Sequence, residues 1–250
     1  MSTQRDRDTA SFGFREVEAE DKPGLVRDVF DSVADRYDLM NDLMSGGIHR
    51  LWKAAMIDWL RPRRDMHLLD VAGGTGDIAF RFLNAGGGSV TVCDLTDAMV
   101  RHGRDRAINA GKLDRVDWVV GDAEKLPIGA SAVDAYSIAF GLRNVTDIDQ
   151  ALREARRVLR PGGRFLCLEF SHVVLPVLDQ LYDRYSFSVL PTLGQVVARD
   201  RDAYVYLVES IRRFPEQRRL AASMKSAGFE MVDHRNLSGG IAALHSGWRL

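Results

Sequence analysis

Strand-like and helix-like runs of apolar residues alternate through the middle of the chain. The strand-like runs are short and nearly continuous, and they lie at His67–Val71, Ser89–Cys93, Val116–Val120, Val133–Phe140 and Arg164–Phe170. Helix-like runs lie between most of them, at about Asp77–Asn84, Asp97–Asn109 and Asp147–Leu159. Because strands that alternate with helices join through right-handed crossovers, this pattern predicts an α/β fold with a mostly parallel sheet and helices on both faces.

Helical spacing of apolar residues also occurs on either side of this region. Two amphipathic helices are predicted ahead of the first strand, one beginning at Pro23 and one at about Ile48–Leu60. Residues 173–212 are aromatic, apolar and helix-like, and a structureless loop of that length is unusual in a compact domain, so we interpret them as a helical insertion. The last predicted elements are a helix and two closing strands, at about Glu216–Ala227, Glu230–His234 and Gly240–Leu250.

Composition narrows the class of protein. The chain has 250 residues, of which 46% are apolar and 28% charged, and 34 Lys and Arg balance 35 Asp and Glu. The length and the near-zero net charge predict one domain with no bulk attraction to nucleic acid. Residues 1–22 are dense in charges of both signs and have few apolar anchors, so we expect a flexible segment there and place the domain at residues 23–250. Two cysteines make neither a disulfide framework nor a zinc site, and no apolar run approaches the roughly 18 residues of a membrane span, so we expect a cytoplasmic protein without a metal.

The strongest chemical signal is a glycine-rich turn after the first predicted strand, with the sequence Asp70-Val-Ala-Gly73-Gly74-Thr75-Gly76. Such a turn by itself fits a strand–helix connection without a ligand, a dinucleotide site or an S-adenosylmethionine site. A second acid, Asp94, ends the next strand, at the position of a residue that binds ribose hydroxyls. Three features favour S-adenosylmethionine: Asp70 directly before the glycines, Asp122 and Ala123 after the third strand, and the Arg160–Arg164 turn before the fifth.

Taken in this order, these features resemble a class I S-adenosylmethionine-dependent methyltransferase with a Rossmann-like, seven-stranded sheet. The resemblance implies that Thr75 and the backbone of Gly73, Gly74 and Gly76 face the methionine part of the cofactor. It also implies that Asp94, with the adjacent Leu95, binds the ribose and that Asp122 and Ala123 border the adenine. Asp70 either contacts the ligand or only braces the turn.

Four further segments narrow the family. They are Phe12-Gly-Phe-Arg-Glu-Val17, Tyr37-Asp-Leu-Met-Asn41, Phe140-Gly-Leu-Arg-Asn144 and Asn236-Leu-Ser-Gly-Gly-Ile-Ala-Ala-Leu-His-Ser-Gly-Trp248. Together they closely resemble the UbiE-type C-methyltransferases of ubiquinone and menaquinone biosynthesis, over nearly the whole chain after residue 10. Two positions depart from the usual pattern of that family, Ala139 where serine is common and Trp248 where tyrosine is common.

The resemblance implies transfer of the sulfonium methyl group to a ring carbon of a prenylated benzoquinol, of the 2-methoxy-6-polyprenyl-1,4-benzoquinol type, or of a demethylmenaquinol. A neutral phenol carbon is a poor nucleophile, so the enzyme must favour the phenolate. Arg143, Asn144 and Tyr37 are the catalytic candidates. Arg143 either stabilises the phenolate or pairs with a structural carboxylate; Asn144 orients a ring oxygen; Tyr37 either faces the substrate or braces two helices.

Several alternatives stay open at this stage. The acceptor could be another small aromatic or lipid molecule, or the chain could be a non-catalytic scaffold of a quinone-biosynthesis assembly. A nicotinamide-dependent oxidoreductase would be expected to carry a Tyr-x-x-x-Lys pair, and a nucleic-acid amino-methyltransferase an Asn/Asp-Pro-Pro-aromatic turn; the sequence has neither. A prenylated substrate predicts peripheral contact with the inner face of a membrane, and a homodimer or a larger enzyme assembly is left open.

Overall fold

The structure, a computed structural model, describes residues 9–33, 42, 45–174 and 201–250. Its centre is a sheet of seven strands in the order β5-β4-β3-β6-β7-β9-β8. The first five strands in this order are parallel, and β9 is antiparallel to both β7 and β8. The sheet strands are β3 (His67–Val71), β4 (Ser89–Asp94), β5 (Val116–Val120), β6 (Val133–Ala139), β7 (Leu159–Phe170), β8 (Glu230–Leu237) and β9 (Ala242–Arg249).

Helices cover both faces of this sheet, as the sequence predicts. They are α1 (Lys22–Val33), α2 (His49–Leu60), α3 (Asp77–Asn84), α4 (Asp97–Asn109), α5 (Ile148–Val158), α6 (Arg201–Arg213) and α7 (Gln217–Ser226). Side chains of α2, α3 and α6 share one apolar cluster with Leu68 of β3, whereas α5 and α7 share a second cluster with Leu69. Adjacent residues of β3 therefore point to opposite faces, and Asp70 shares the face of Leu68 with α2 and α3.

Chain order and strand order differ at the centre of the sheet. From β3 the chain proceeds outward to β4 and β5, then returns to β6 on the other side of β3. This reversal leaves a crevice beyond the carboxyl ends of β3 and β6, which is where open α/β sheets bind ligands. Both strands are followed at this edge by a non-glycine residue with positive φ, Ala72 at 49° and Phe140 at 59°. Such strained residues are concentrated at functional sites.

The amino-terminal segment differs from the sequence-based expectation. Residues 1–22 were expected to be flexible, but β1 (Thr9–Phe12) and β2 (Arg15–Glu18) form an antiparallel hairpin. The ring of Phe12 stacks on Tyr206 of α6 with centroids 4.2 Å apart, and the backbone N–H of Phe14 donates to Glu209 (2.9 Å). The hairpin is therefore held by α6, far along the chain, which its own charged sequence does not show.

The predicted insertion at residues 173–212 lies largely outside the described residues. Its last part is α6, whose buried face carries Ala203, Tyr206 and Leu207. No helix in the described part of the chain is long and apolar enough to cross a bilayer.

Candidate active site

The glycine-rich turn places two glycines in the left-handed region, which glycine adopts without the strain that a β-carbon adds. Gly74 and Gly76 have φ of 54° and 84°, in the left-handed region. A β-carbon on Gly76 would lie 2.7 Å from the ring of Trp118, and one on Gly73 would lie 2.7 Å from Val92. The N–H of Gly76 donates to the carbonyl of Gly73 (2.9 Å), which closes the turn directly before α3.

Asp94 ties this turn to the neighbouring strand. One carboxylate oxygen accepts from the N–H of Gly74 (2.8 Å) and the other from the N–H of Thr96 (3.0 Å). Burial raises the pKa of Asp94, while these backbone donors act to lower it. The side chain borders the cleft described next, where lone pairs that the backbone does not use can accept from a ligand hydroxyl.

An open cleft of about 770 Å³ lies beyond the carboxyl ends of β3, β4 and β6. This volume is typical of small-molecule sites. Five of the predicted cofactor residues border it: Gly74, Asp94, Leu95, Asp122 and Ala123. Asn144 borders it too, together with Pro23 and Val26 of α1. The cleft therefore brings the predicted adenosine site and one catalytic candidate to the same place.

Three of the four remaining predicted cofactor residues border a second space. Asp70, Gly73 and Thr75 border a smaller cavity of about 380 Å³, whose wall also includes Ala72 and Phe140. Ala72 and Phe140 border the large cleft as well, so the two spaces adjoin. Gly76 borders neither space.

Thr75 and Asp70 differ in their hydrogen bonds. Both the hydroxyl and the carbonyl of Thr75 accept from the guanidinium of Arg106 on α4, a partner that the sequence did not indicate. Asp70 is fully buried, and its Oδ1 accepts from the Ser137 hydroxyl (2.6 Å). Burial raises the pKa of Asp70 to about 7, and the Ser137 bond and the charge of Lys53 act in the opposite direction.

Arg143 lies behind the cleft rather than on its wall. Its Nη1 donates to Glu169 Oε1 (2.7 Å) and to the carbonyl of Phe140 (2.6 Å), and the side chains of Arg143 and Glu169 are each 1% exposed. Burial raises the pKa of Glu169, while Arg143 lowers it. Of the two roles that the sequence left open for Arg143, the structure supplies the carboxylate that the pairing role requires.

Asn144 has a partner from the insertion. The hydroxyl of Tyr206 donates to Asn144 Oδ1 (3.0 Å), and burial raises the pKa of Tyr206. With its oxygen engaged in this way, the side-chain amide of Asn144 still has its two N–H donors. The aromatic insertion that ends near Tyr206 is a candidate for the quinol pocket from sequence, but its contact with Asn144 is not predictable there, because 62 residues separate the two.

Tyr37 and His49 also carry groups that could act on a substrate, and from sequence alone His49 is interpreted as structural rather than catalytic. Tyr37 lies outside the described residues, so its role stays a prediction. His49 has no partner that sequence reasoning identified, but its Nε2 lies 2.9 Å from Asp42 Oδ1, and Asp42 also pairs with Arg50. Burial lowers the pKa of His49. His49 therefore braces the start of α2, as its structural interpretation requires.

The arrangement fits S-adenosylmethionine on grounds of shape and charge. The backbone of Gly74 borders the cleft with open space where a β-carbon would lie, and Asp94 and Asp122 border the same cleft, which is large enough for a nucleoside. At the other end, the small cavity holds the buried carboxyl of Asp70 and the ammonium of Lys53, which suit a ligand that carries both charges.

Comparison with known proteins decides the family. The family model described as the ubiE/COQ5 methyltransferase family matches residues 6–249. The chain belongs to this family. The ubiquinone/menaquinone biosynthesis C-methyltransferase UbiE of Paracoccus denitrificans is 62% identical over 240 residues, which cover 96% of each chain.

Solved structures show the fold. An S-adenosylmethionine-dependent methyltransferase of Thermotoga maritima superposes with a TM-score of 0.65 at 18% identity, covering 90% of this chain and 99% of that one. The [4+2]-cyclase SpnF superposes with a TM-score of 0.69 at 20% identity, covering 91% of this chain and 96% of that one. The predicted class I methyltransferase fold is confirmed. Since a cyclase shares it, the fold alone does not specify the reaction.

Proposed function

We propose that this member of the ubiE/COQ5 methyltransferase family transfers a methyl group from S-adenosylmethionine to a ring carbon of a quinol in ubiquinone and menaquinone biosynthesis. The observation that carries the proposal is the shared cleft, whose wall includes Asp94 and Asp122 of the predicted cofactor site and Asn144 of the Phe-Gly-Leu-Arg-Asn segment. The prenylated benzoquinol and demethylmenaquinol are the two acceptors that we propose.

The proposed reaction requires specific roles of residues in the cleft. S-adenosylmethionine supplies an electrophilic methyl group when bound. A ring carbon becomes nucleophilic when the adjacent hydroxyl ionises, and free phenol titrates near pH 10, so the site must favour the anion. Asn144 donates an amide N–H to the developing phenolate oxygen and so both orients the ring and stabilises its charge.

Arg143 acts in this proposal as a positioning residue. Its bonds to Glu169 and to the Phe140 carbonyl hold the short helical turn Leu142–Asn144 against β7. Asn144, the next residue, is thereby fixed at the cleft. Since its charge is already paired, Arg143 influences the phenolate through the position of Asn144.

The test is methyl transfer by the purified protein. The protein, with methyl-labelled S-adenosylmethionine, is offered a short-chain 2-methoxy-6-prenyl-1,4-benzoquinol and a short-chain demethylmenaquinol. We expect label on a ring carbon of at least one. Transfer to neither quinol, together with normal quinone content in a strain that lacks the gene, would refute the proposal.

We expect Tyr206→Phe to lower kcat by about tenfold while leaving KM for S-adenosylmethionine unchanged, because the change removes one hydrogen bond that orients Asn144. Steady-state kinetics on the better quinol measure the effect. The matched control is the same substitution in an Asn144→Ala background, where no further loss is expected. An equal loss in both backgrounds would show that Tyr206 acts elsewhere.

Contact with the membrane is the last part of the proposal, since a prenylated quinol resides in lipid. Ile48 and Leu51, at the start of α2, are 42% and 70% exposed and are adjacent on the helix surface. The double variant Ile48→Ser with Leu51→Ser removes apolar contact with the bilayer, which contributes about 25 cal/mol per Å². We therefore expect the fraction of protein that floats with anionic vesicles to fall at least twofold. Met231→Ser, at an apolar side chain 71% exposed on β8, is the control. Equal flotation of the two variants would refute this contact surface.

A homodimer or a larger assembly stays a prediction.

A further inference from the structure

Two arginine side chains contact the ring of Trp59 near the end of α2. The guanidinium of Arg235 on β8 lies 4.1 Å from the ring, and that of Arg164 on β7 lies 5.1 Å from it. A third arginine, Arg61, directly follows the last residue of α2. Burial lowers the pKa of Arg164, and the charges of Arg235 and Arg61 lower it further, so the three cations are close together. Trp59 and these three arginines form what we call the Trp59 cluster.

Arg164 has a structural role in this cluster. Its Nε donates to the hydroxyl of Ser246 on β9 (2.8 Å), and its Nη1 donates to the carbonyl of Trp59. That carbonyl belongs to the last turn of α2, where the helix itself supplies no donor. Arg164 is half-buried and therefore fastens the end of α2 to the sheet.

Arg61 and Arg235 have no such role. Both are exposed, and neither guanidinium has a hydrogen bond or an ion pair with a described residue. The acid next to Trp59 in sequence, Asp58, is exposed and has no ion pair with a described residue either. Because like charges repel, an anion that binds between these arginines stabilises the cluster. A guanidinium that lies over an aromatic ring keeps its N–H groups available for two parallel bonds to a phosphate.

The cluster continues the apolar surface at the start of α2. Trp59 follows Ile48 by about three full turns of helix, so the two residues lie on the same side of α2 and roughly 16 Å apart. Ala55, between them on this side, is half-buried, as Trp59 is. Tryptophan is typical of the membrane–water interface, and clustered arginines are typical of sites for anionic lipid head groups.

We propose that Arg61 and Arg235 bind the phosphate group of an anionic phospholipid. Trp59 supports Arg235 through the ring contact, and Arg164 fixes the end of α2 beneath them. The inference rests on the proposed function, because it extends the proposed membrane contact from the start of α2 to its end. Contact at both ends lays α2 along the lipid surface. Since Lys53 of α2 borders the small cavity that adjoins the cleft, this orientation holds the cleft close to the membrane.

The test is binding of the full chain to two kinds of vesicle, measured by flotation at increasing lipid concentration. One kind is pure phosphatidylcholine, in which the choline cation offsets the phosphate, and the other also contains phosphatidylglycerol. We expect Arg61→Gln with Arg235→Gln to raise the Kd for the anionic vesicles about 10- to 30-fold, the range for two arginines at an anionic surface. The Kd for pure phosphatidylcholine should change less than about twofold.

Two controls separate a head-group site from general attraction. Arg101→Gln with Arg104→Gln removes two exposed arginines from α4 and should change the Kd for anionic vesicles less than about twofold. Arg235→Lys keeps the charge but removes the planar guanidinium, and we expect it to raise that Kd at least about threefold. If Arg235→Lys binds as wild type does, or if the α4 variant loses as much as the cluster variant, the site is refuted. Thermal unfolding checks that each variant is folded.

Inorganic phosphate tests the other source of the same chemistry. It is titrated at constant ionic strength and followed by tryptophan fluorescence. If it saturates the cluster while anionic vesicles bind no better than neutral ones, the ligand is free phosphate and the assignment to lipid is overturned.

The remaining outcomes separate the inference from the proposed function. If wild-type protein binds both kinds of vesicle equally, the apolar contact stands and the phosphate site is refuted. If it binds neither, the proposed membrane contact fails and the inference fails with it. Methylation of the short-chain quinol is measured independently, and Arg61→Gln with Arg235→Gln should leave its kcat unchanged, because neither residue borders the cleft.

Discussion

Arg143→Met is expected to lower the free energy of unfolding by about 3–5 kcal/mol, since it leaves a buried carboxylate without its counter-ion. Arg143 and Glu169 are both enclosed, and their ion pair is 2.7 Å long. Methionine keeps most of the apolar stem of arginine but supplies no charge and no N–H donors. Urea-induced unfolding, followed by tryptophan fluorescence, measures the change.

Glu169→Gln provides the matched control for the charge. The glutamine oxygen can still accept from the N–H of Phe170, as Glu169 Oε1 does (2.9 Å). In the double variant no carboxylate is buried, so we expect it to recover at least about 1 kcal/mol of the loss caused by Arg143→Met. A double variant as unstable as Arg143→Met would show that packing, rather than charge, explains the loss.

The loss should also depend on pH. Burial raises the pKa of Glu169, and Arg143 is the largest opposing influence, so Arg143→Met raises the pKa further. A carboxyl with a raised pKa in the folded state binds a proton more tightly there than in the unfolded state. The variant should therefore recover stability as pH falls from about 8 towards about 5, and recovery in the opposite direction would contradict the assignment.

The elements of the central sheet were predictable because each carries its own local pattern. β3 and β5 occupy the predicted residues, and α3 and α4 do as well. Asp147 accepts from the N–H of Gln150 (2.9 Å) and so begins α5 one residue after the predicted start. In these segments, local hydrophobic period and capping agree with the final packing.

The amino-terminal hairpin was not predictable in this way. β2 is Arg-Glu-Val-Glu, largely exposed, with too little apolar surface to define a strand. Its partner β1 is held by the stack of Phe12 on Tyr206, nearly 200 residues away in the chain. Contacts of that kind depend on the tertiary fold and leave no periodic trace in the sequence.

The candidate site likewise has parts that local sequence predicts and parts that depend on the tertiary fold. Glycines and acids at strand ends identify the cofactor side, because their spacing follows from the strand–turn–helix unit itself. The partners of the catalytic candidates come from elsewhere: Glu169 reaches Arg143 through the pairing of β6 with β7, and Tyr206 reaches Asn144 from the insertion. Asp42 reaches His49 across Gly46 and Gly47, whose positive φ interrupts the helix, so helical spacing does not indicate this partner either.

Asp94→Ala is expected to weaken S-adenosylhomocysteine binding by more than about 100-fold, because charge-assisted hydrogen bonds of about 1.5–3 kcal/mol are lost both to the turn and to the ligand. In the protein, this carboxylate accepts from Gly74 and Thr96 and borders the cleft, so one side chain both shapes the turn and faces the proposed ribose. Calorimetry measures the affinity.

The control for Asp94→Ala is the removal of another carboxylate from the segment that joins β4 to α4. Asp97, three residues later, is exposed and pairs with Arg101 (2.7 Å) at the start of α4. Because exposed pairs contribute only about 0–1 kcal/mol, Asp97→Ala should change the affinity by less than about fivefold. Equal losses in the two variants would assign the effect to general electrostatics. A large loss at Asp94 alone would instead show that one buried carboxylate joins the glycine turn to the ligand. Such a double role explains why the acid at the end of the second parallel strand identifies this site from sequence.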